Sequence, residues 1–124
     1  MVLVGIAILA AGADPDVAAI TGTWRGQSVC VTEAAACRNE NVVYYIKEVS
    51  GRTDVVLIQA DRVVDGKTIT MGSGEWQYHG AQHTLEWNTP RQVWLLRIAG
   101  THIEGTLTLA DKTTFRKMTL DKDK

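Results

Sequence analysis

The chain has 124 residues, enough for one domain whose core is large enough to fold alone. Its 13 Lys and Arg residues nearly balance its 14 Asp and Glu residues, and neither sign is concentrated in a run. Because nucleic acids and anionic membrane surfaces attract a basic patch, this charge distribution argues against both of these partners.

An apolar, uncharged segment runs from Met1 to Ala13. It is too short to cross a bilayer, but it has the length of the hydrophobic region of a secretory signal peptide, and Ala11-Gly12-Ala13 resembles a cleavage site. The alternative is a buried element of the fold. We predict a signal peptide over residues 1–13 and a linker over residues 14–19, because Asp14-Pro15-Asp16 interrupts the run where cleavage would occur. The mature protein would then be periplasmic or extracellular, with no membrane insertion after cleavage.

Short runs with alternating apolar residues fill the rest of the chain, and turn residues separate them. The turn Asp65-Gly66 is the most specific, because a tight hairpin needs the positive φ that glycine adopts freely. We predict a β domain over residues 20–121, followed by a polar tail over residues 122–124. Its predicted strands are Ile20–Val31, Asn41–Val49, Val55–Val64, Thr68–Tyr78, His83–Trp87, Gln92–Ile98, Ile103–Leu109 and Thr114–Leu120.

The connectors between these strands are of hairpin length, except for the one that contains the cysteines. Strands that are neighbours in sequence should therefore be neighbours in space, and a meander of this size closes to remove its edges. We predict an all-β fold, a single up-and-down antiparallel barrel of about eight strands, which has room for side chains or one small ligand. A two-sheet sandwich is the alternative, but the sequence lacks the long crossover that sandwiches usually need.

The two cysteines, Cys30 and Cys37, flank a small loop. In an exported protein they should form a disulfide, since an oxidising compartment favours pairing. A metal site would need further ligands, and the loop contains no histidine, so we predict no metal. By strand counting, the bridged loop lies at the open mouth of the barrel. It is either a preorganised contact surface or a staple for a small secreted domain.

Two short motifs resemble the structural signature of the calycins, the superfamily of lipocalins, fatty-acid-binding proteins and avidins. Gly22-Thr23-Trp24 opens the first strand, and Phe115-Arg116-Lys117 lies in the last. The resemblance implies a lipocalin- or avidin-like barrel in which Gly22, Trp24 and Arg116 are structural. Trp24 would plug the closed end, and Arg116 would stack on it. The overall likeness is to small secreted bacterial lipocalin-like domains, although the chain is shorter than a typical lipocalin and lacks its long C-terminal helix.

Several inward-facing positions are candidates for a ligand-binding wall. Gly72 and Gly74 precede Trp76 on one strand face, where missing side chains could leave a cavity. Core packing, or a bend needed to close the barrel, is the alternative interpretation of these residues. The histidines at 79, 83 and 102 are predicted to be solvated turn residues. The predicted ligand-binding residues are Tyr44, Ile58, Trp76, Trp94 and Leu96.

No catalytic signature is present in the sequence: there is no nucleophile elbow, no phosphate-binding loop and no third cysteine. We therefore predict no catalytic residues and no cofactor. The expected function is a secreted or periplasmic binding protein for a small apolar or amphiphilic molecule. The alternative is a small barrel that binds and inhibits an extracytoplasmic protein, such as a cell-wall hydrolase, through its mouth loops. A cavity inside the barrel would favour the first function, and a solid core would favour the second.

Overall fold

The computed structural model describes residues 15–33 and 36–124, and the predicted signal peptide lies outside the described residues. Within them the chain forms a short helix, eight strands and a 3-10 turn at Gly80–Gln82. No helix within residues 15–33 and 36–124 has the length and the apolar character needed to span a bilayer. The elements are α1 (Pro15–Ile20), β1 (Gly22–Cys30), β2 (Glu40–Glu48), β3 (Val55–Val64), β4 (Lys67–His79), β5 (Thr84–Asn88), β6 (Gln92–Ala99), β7 (His102–Leu109) and β8 (Thr114–Lys122).

The eight strands form one closed antiparallel barrel, in which each strand pairs with its neighbours in sequence and β8 pairs with β1. This confirms the predicted single up-and-down antiparallel barrel. Successive side chains of a strand point alternately into the barrel and out of it, and the inward-pointing ones form the core. On β7, for example, Ile103, Gly105 and Leu107 are buried, and the residues between them are more exposed. β8 continues through Lys122, so the polar tail begins later than predicted.

Helix α1 closes one end of the barrel, where the sequence predicted a linker. Proline suits the first position of a helix because its missing N–H would be unpaired there in any case. Val17 and Ile20 are three residues apart, so they lie on one helix face, and both are buried in the core. The indole N–H of the fully buried Trp24 donates to the Ile20 carbonyl oxygen at 2.9 Å. The helix and Trp24 together therefore seal the closed end.

The prediction that Arg116 stacks on Trp24 is wrong. The register of β8 against β1 places Arg116 opposite Cys30 and places Lys122 opposite Trp24. Arg116 is thus six residues from Trp24 along the strand pair, about 20 Å away at the usual strand rise. Lys122 lies at the closed end, and its ammonium donates to the Ala19 carbonyl oxygen at 2.8 Å, in the last turn of α1.

The predicted disulfide between Cys30 and Cys37 is confirmed. It lies at the end of β1, which is the end of the barrel opposite to α1. The hairpins β3–β4, β5–β6 and β7–β8 turn at this same end because successive strands alternate in direction. These connectors form the mouth of the barrel.

Candidate functional site

A cavity of about 250 Å³ is lined by side chains from several strands of the barrel and lies toward the mouth. It is bordered by an incompletely paired stretch of β4. The strand β5 pairs with β4 only from Gln77 to His79, so the rest of β4 pairs only with β3 among the described strands. The residues that line the cavity are Tyr44, Ile58, Ala60, Met71, Gly72, Ser73, Gly74, Trp76, Trp87 and Trp94.

Two glycines account for much of the empty space. A Cβ atom added at Gly72 or Gly74 would have no heavy atom within 4 Å, so the backbone of β4 itself forms this wall. The pairing of β3 with β4 shifts between Ala60 and Asp61, which leaves Met71 as an extra residue in a bulge. The glycines and the bulge therefore combine to widen the barrel at this point.

Three tryptophans, Trp76, Trp87 and Trp94, supply the aromatic part of the cavity lining, and we call them the tryptophan cluster. Trp87 and Trp94 face each other across β5 and β6, with stacked rings whose centroids are 6.3 Å apart. The Trp76 centroid lies 5.9 Å from that of Trp87 and 6.2 Å from that of Trp94. Trp76 is buried, whereas Trp87 is 42% exposed, so the cluster carries aromatic surface from the core to the solvent.

Four of the five predicted ligand-binding residues line this cavity, and they come from four different strands: Tyr44, Ile58, Trp76 and Trp94. Leu96 does not line it. It faces inward like Trp94 but lies closer to the closed end, where it is fully buried and packs over Gly105, whose missing side chain makes room for it. Trp87 was not among the predicted ligand-binding residues, although it is two residues from Leu85 and therefore shares the inner face of β5 with it.

Tyr44 on β2 contributes a hydroxyl group to the cavity wall. Tyr44 is buried, and its hydroxyl makes no hydrogen bond with the described residues. Burial raises the pKa of the Tyr44 phenol above its ordinary value, Glu40 raises it further, and Arg116 acts in the opposite direction. The Tyr44 side chain is therefore neutral at physiological pH and lies within the electric field of both charged groups.

A cluster of charged side chains lies next to Tyr44, toward the mouth. The Arg116 guanidinium donates to the Ser28 hydroxyl at 3.1 Å and lies 3.8 Å from the Glu40 carboxylate. The Arg62 guanidinium lies 3.6 Å from the other oxygen of Glu40. Glu40 shares its strand face with Tyr44, and Arg62 shares its face with Ala60, so these groups border the barrel interior. We call Arg62, Glu40 and Arg116 the mouth charge cluster.

The histidines do not converge on a metal site. His79 contacts Glu86 at 3.1 Å, and His102 lies between Asp121 at 2.9 Å and Glu104 at 3.1 Å. The hydrogen bond with Asp121, and then the one with Glu104, raise the pKa of the exposed His102. In residues 15–33 and 36–124, no group of three or more His, Cys, Asp or Glu side chains is arranged to hold a metal ion.

No protein-family model matches the chain, and a comparison with curated proteins found no match. Among solved structures, the S-type phycobiliprotein lyase CPES from Guillardia theta is similar, with a TM-score of 0.47 and 12% sequence identity. The similarity covers 87% of this chain and 90% of that chain.

Proposed function

We propose that this protein binds one small apolar or amphiphilic molecule in the cavity beside the tryptophan cluster. The observation that carries the proposal is an apolar space of about 250 Å³, bordered by three aromatic rings and reaching the surface at the exposed Trp87. Ligand pockets are concave and mostly apolar, and this volume suits a ligand smaller than those of typical pockets of about 300–1,000 Å³. The proposal assigns the protein no catalytic role.

The energetics of such a site favour an apolar occupant. Burying apolar surface gains about 25 cal/mol per Å² removed from water, and flat indole rings offer large contact areas without much flexibility. The glycine wall of β4 leaves room next to the rings, and the cavity has a solvent-exposed edge at Trp87 and Met71. A ligand could therefore reach the site without displacing the packed core around Leu96.

The rival function, inhibition of a protein partner through the mouth loops, is less well supported. It depends on exposed side chains such as Glu33, Arg38 and Arg91. A barrel that acted only through its loops would have no need of a cavity, and a solid core would have favoured this function. The cavity beside the tryptophan cluster supports the small-molecule function instead.

The disulfide supports an extracytoplasmic location as part of this proposal. Disulfides persist mainly in oxidising compartments such as the periplasm or the extracellular space. The proposed ligand would then be met outside the cytoplasm, which suits a carrier or scavenger of a sparingly soluble molecule.

The test is a fluorescence titration with N-phenylnaphthylamine, a neutral aromatic probe whose emission rises in apolar surroundings. We expect one probe to bind per chain. Replacing Trp87 with alanine should weaken binding by about tenfold, because one aromatic contact contributes roughly 1.4 kcal/mol. Trp87 is only partly buried, so this variant should fold.

The matched control is Leu57→Ala on β3. Leu57 is an apolar residue of similar exposure (37%) that does not line the cavity, and its removal should leave probe binding unchanged. Failure of the wild-type protein to bind this probe and a range of other apolar or amphiphilic molecules would reject the proposal. It would then favour the mouth-loop function, whose partner binding should depend on Glu33, Arg38 or Arg91.

A further inference from the structure

The mouth charge cluster carries an excess of positive charge. Two guanidinium groups, Arg62 and Arg116, flank the single carboxylate of Glu40, so the three side chains together are cationic. The Arg116 side chain is only 15% exposed. A guanidinium largely withdrawn from water needs partners for its charge and its donors, because burying it without them is costly.

Both guanidinium groups have N–H donors that make no hydrogen bond with the described residues. Arg116 uses one nitrogen, Nη1, to bond the Ser28 hydroxyl and carbonyl oxygens. Its remaining N–H groups, and all those of Arg62, make no hydrogen bond with the described part of the chain. The contacts with Glu40, at 3.6 and 3.8 Å, are longer than hydrogen bonds. Several charged donors therefore have no acceptor among the described residues, and a ligand oxygen could accept from them.

Tyr44 joins this cluster to the apolar cavity. It lines the cavity, and its hydroxyl makes no hydrogen bond with the described residues. Glu40 lies four residues from Tyr44 on the same face of β2 and contacts Arg116 at 3.8 Å. In line with this geometry, Glu40 raises the pKa of the Tyr44 hydroxyl and Arg116 lowers it. Tyr44 thus places a neutral hydroxyl donor between the apolar cavity and an excess of guanidinium donors.

We infer that this end of the cavity is an anion subsite, in which Arg116, Arg62 and the Tyr44 hydroxyl bind the oxyanionic head group of an amphiphile. The apolar body of the same molecule would lie against the tryptophan cluster. The inference rests on the proposed function and narrows its ligand class to apolar molecules with one negatively charged head. Guanidinium groups suit this task because their N–H donors match the geometry of oxyanions.

Glu40 has a definite role in this arrangement. Its carboxylate competes with the ligand for the two arginines and repels an incoming anion, so it should weaken binding of the head group. Removing its charge should therefore strengthen binding, whereas removing the charge of either arginine should weaken it. If the ion pair were only structural, neutralising Glu40 and neutralising an arginine would not change the affinity for an anionic ligand in opposite directions.

The test compares two probes that share one aromatic body. Anilinonaphthalene sulfonate carries an anionic group, and N-phenylnaphthylamine lacks it. In Arg116→Gln, affinity for the sulfonate probe should fall by about tenfold or more, the usual size of a lost hydrogen bond to a charged group. Affinity for the neutral probe should change by less than about twofold. Arg62→Gln should show the same selectivity. It provides a second variant that should fold, because Arg62 is half-exposed and makes no hydrogen bond with the described residues.

Two further variants complete the design. Glu40→Gln should raise affinity for the sulfonate probe several-fold and leave the neutral probe unaffected. Arg97→Gln removes the same charge from an exposed position on β6 outside the cavity, and it should leave both probes nearly unchanged, since distant exposed charges are screened.

The outcomes separate this inference from the proposed function. If the neutral probe binds but the arginine and glutamate variants change both probes equally, the anion subsite is overturned and the apolar cavity stands. The same holds if the sulfonate probe does not bind. If neither probe binds the wild-type protein, the proposed function fails and the subsite fails with it.

Discussion

Replacing Trp24 with alanine is expected to lower the free energy of unfolding by about 3–5 kcal/mol, the range for deleting a large buried aromatic side chain. Trp24 is fully buried at the closed end, and its indole N–H bonds the Ile20 carbonyl oxygen at 2.9 Å. The substitution would leave a cavity between the barrel and α1 and would also leave that carbonyl without its partner, which adds to the cost. Urea unfolding followed by circular dichroism measures the difference.

Two controls accompany this prediction. Trp87→Ala removes an equally large side chain from a partly exposed position, so it should cost far less stability. The effects of Trp24→Ala and Arg116→Ala should add within about 0.5 kcal/mol, because the two residues lie at opposite ends of the barrel. A Trp24→Ala protein as stable as the wild type would show that α1 and Trp24 do not seal the barrel.

Replacing Gly74 with leucine is expected to abolish binding of N-phenylnaphthylamine. Gly74 lines the cavity, and a Cβ atom there would have no heavy atom within 4 Å, so a leucine side chain can occupy the space that a ligand would take. The change should cost little stability, because it fills empty space and replaces a glycine within a strand. Fluorescence titration and urea unfolding of the same sample separate the two effects.

The matched control is Thr68→Leu, which adds an apolar side chain to an exposed position of the same strand outside the cavity. It should bind the probe as the wild type does. Unchanged binding in a folded Gly74→Leu protein would mean that the probe binds elsewhere, and the cavity would lose its assigned role.

Local patterns in the sequence were sufficient to predict the barrel. The alternation of Ile103, Gly105 and Leu107 gave the buried face of β7, because side chains in a strand point to opposite faces in turn. The turn at Asp65-Gly66 was equally local. Both residues have positive φ, 52° and 79°, as the type I′ turn of a two-residue hairpin requires.

Features that depend on register or on tertiary packing could not be predicted in this way. Helix α1 has only six residues, and its stability comes from packing Val17 and Ile20 into the end of the barrel. The error on Arg116 has a similar origin. Its strand was predicted correctly, but only the register with β1 decides whether it lies near Trp24 or near Cys30.

The candidate site was predicted in part for the same reasons. Alternation and the glycines at 72 and 74 indicated the wall next to Trp76, and the structure places a cavity there. Alternation alone could not distinguish Trp94, which lines the cavity, from Leu96, which lies on the same face nearer the closed end. The mouth charge cluster draws its members from β2, β3 and β8, so it becomes visible only once those strands are placed together.

The central claim, a ligand beside the tryptophan cluster, is tested most directly by a two-dimensional proton–nitrogen NMR titration that follows the indole N–H signals of the four tryptophans. With N-phenylnaphthylamine as the probe, the signals of Trp76, Trp87 and Trp94 should shift together and saturate at one probe per chain. The Trp24 signal should stay in place, because Trp24 is sealed at the closed end. Signals from the cluster that do not move at saturating probe, or a Trp24 signal that moves most, would contradict the account.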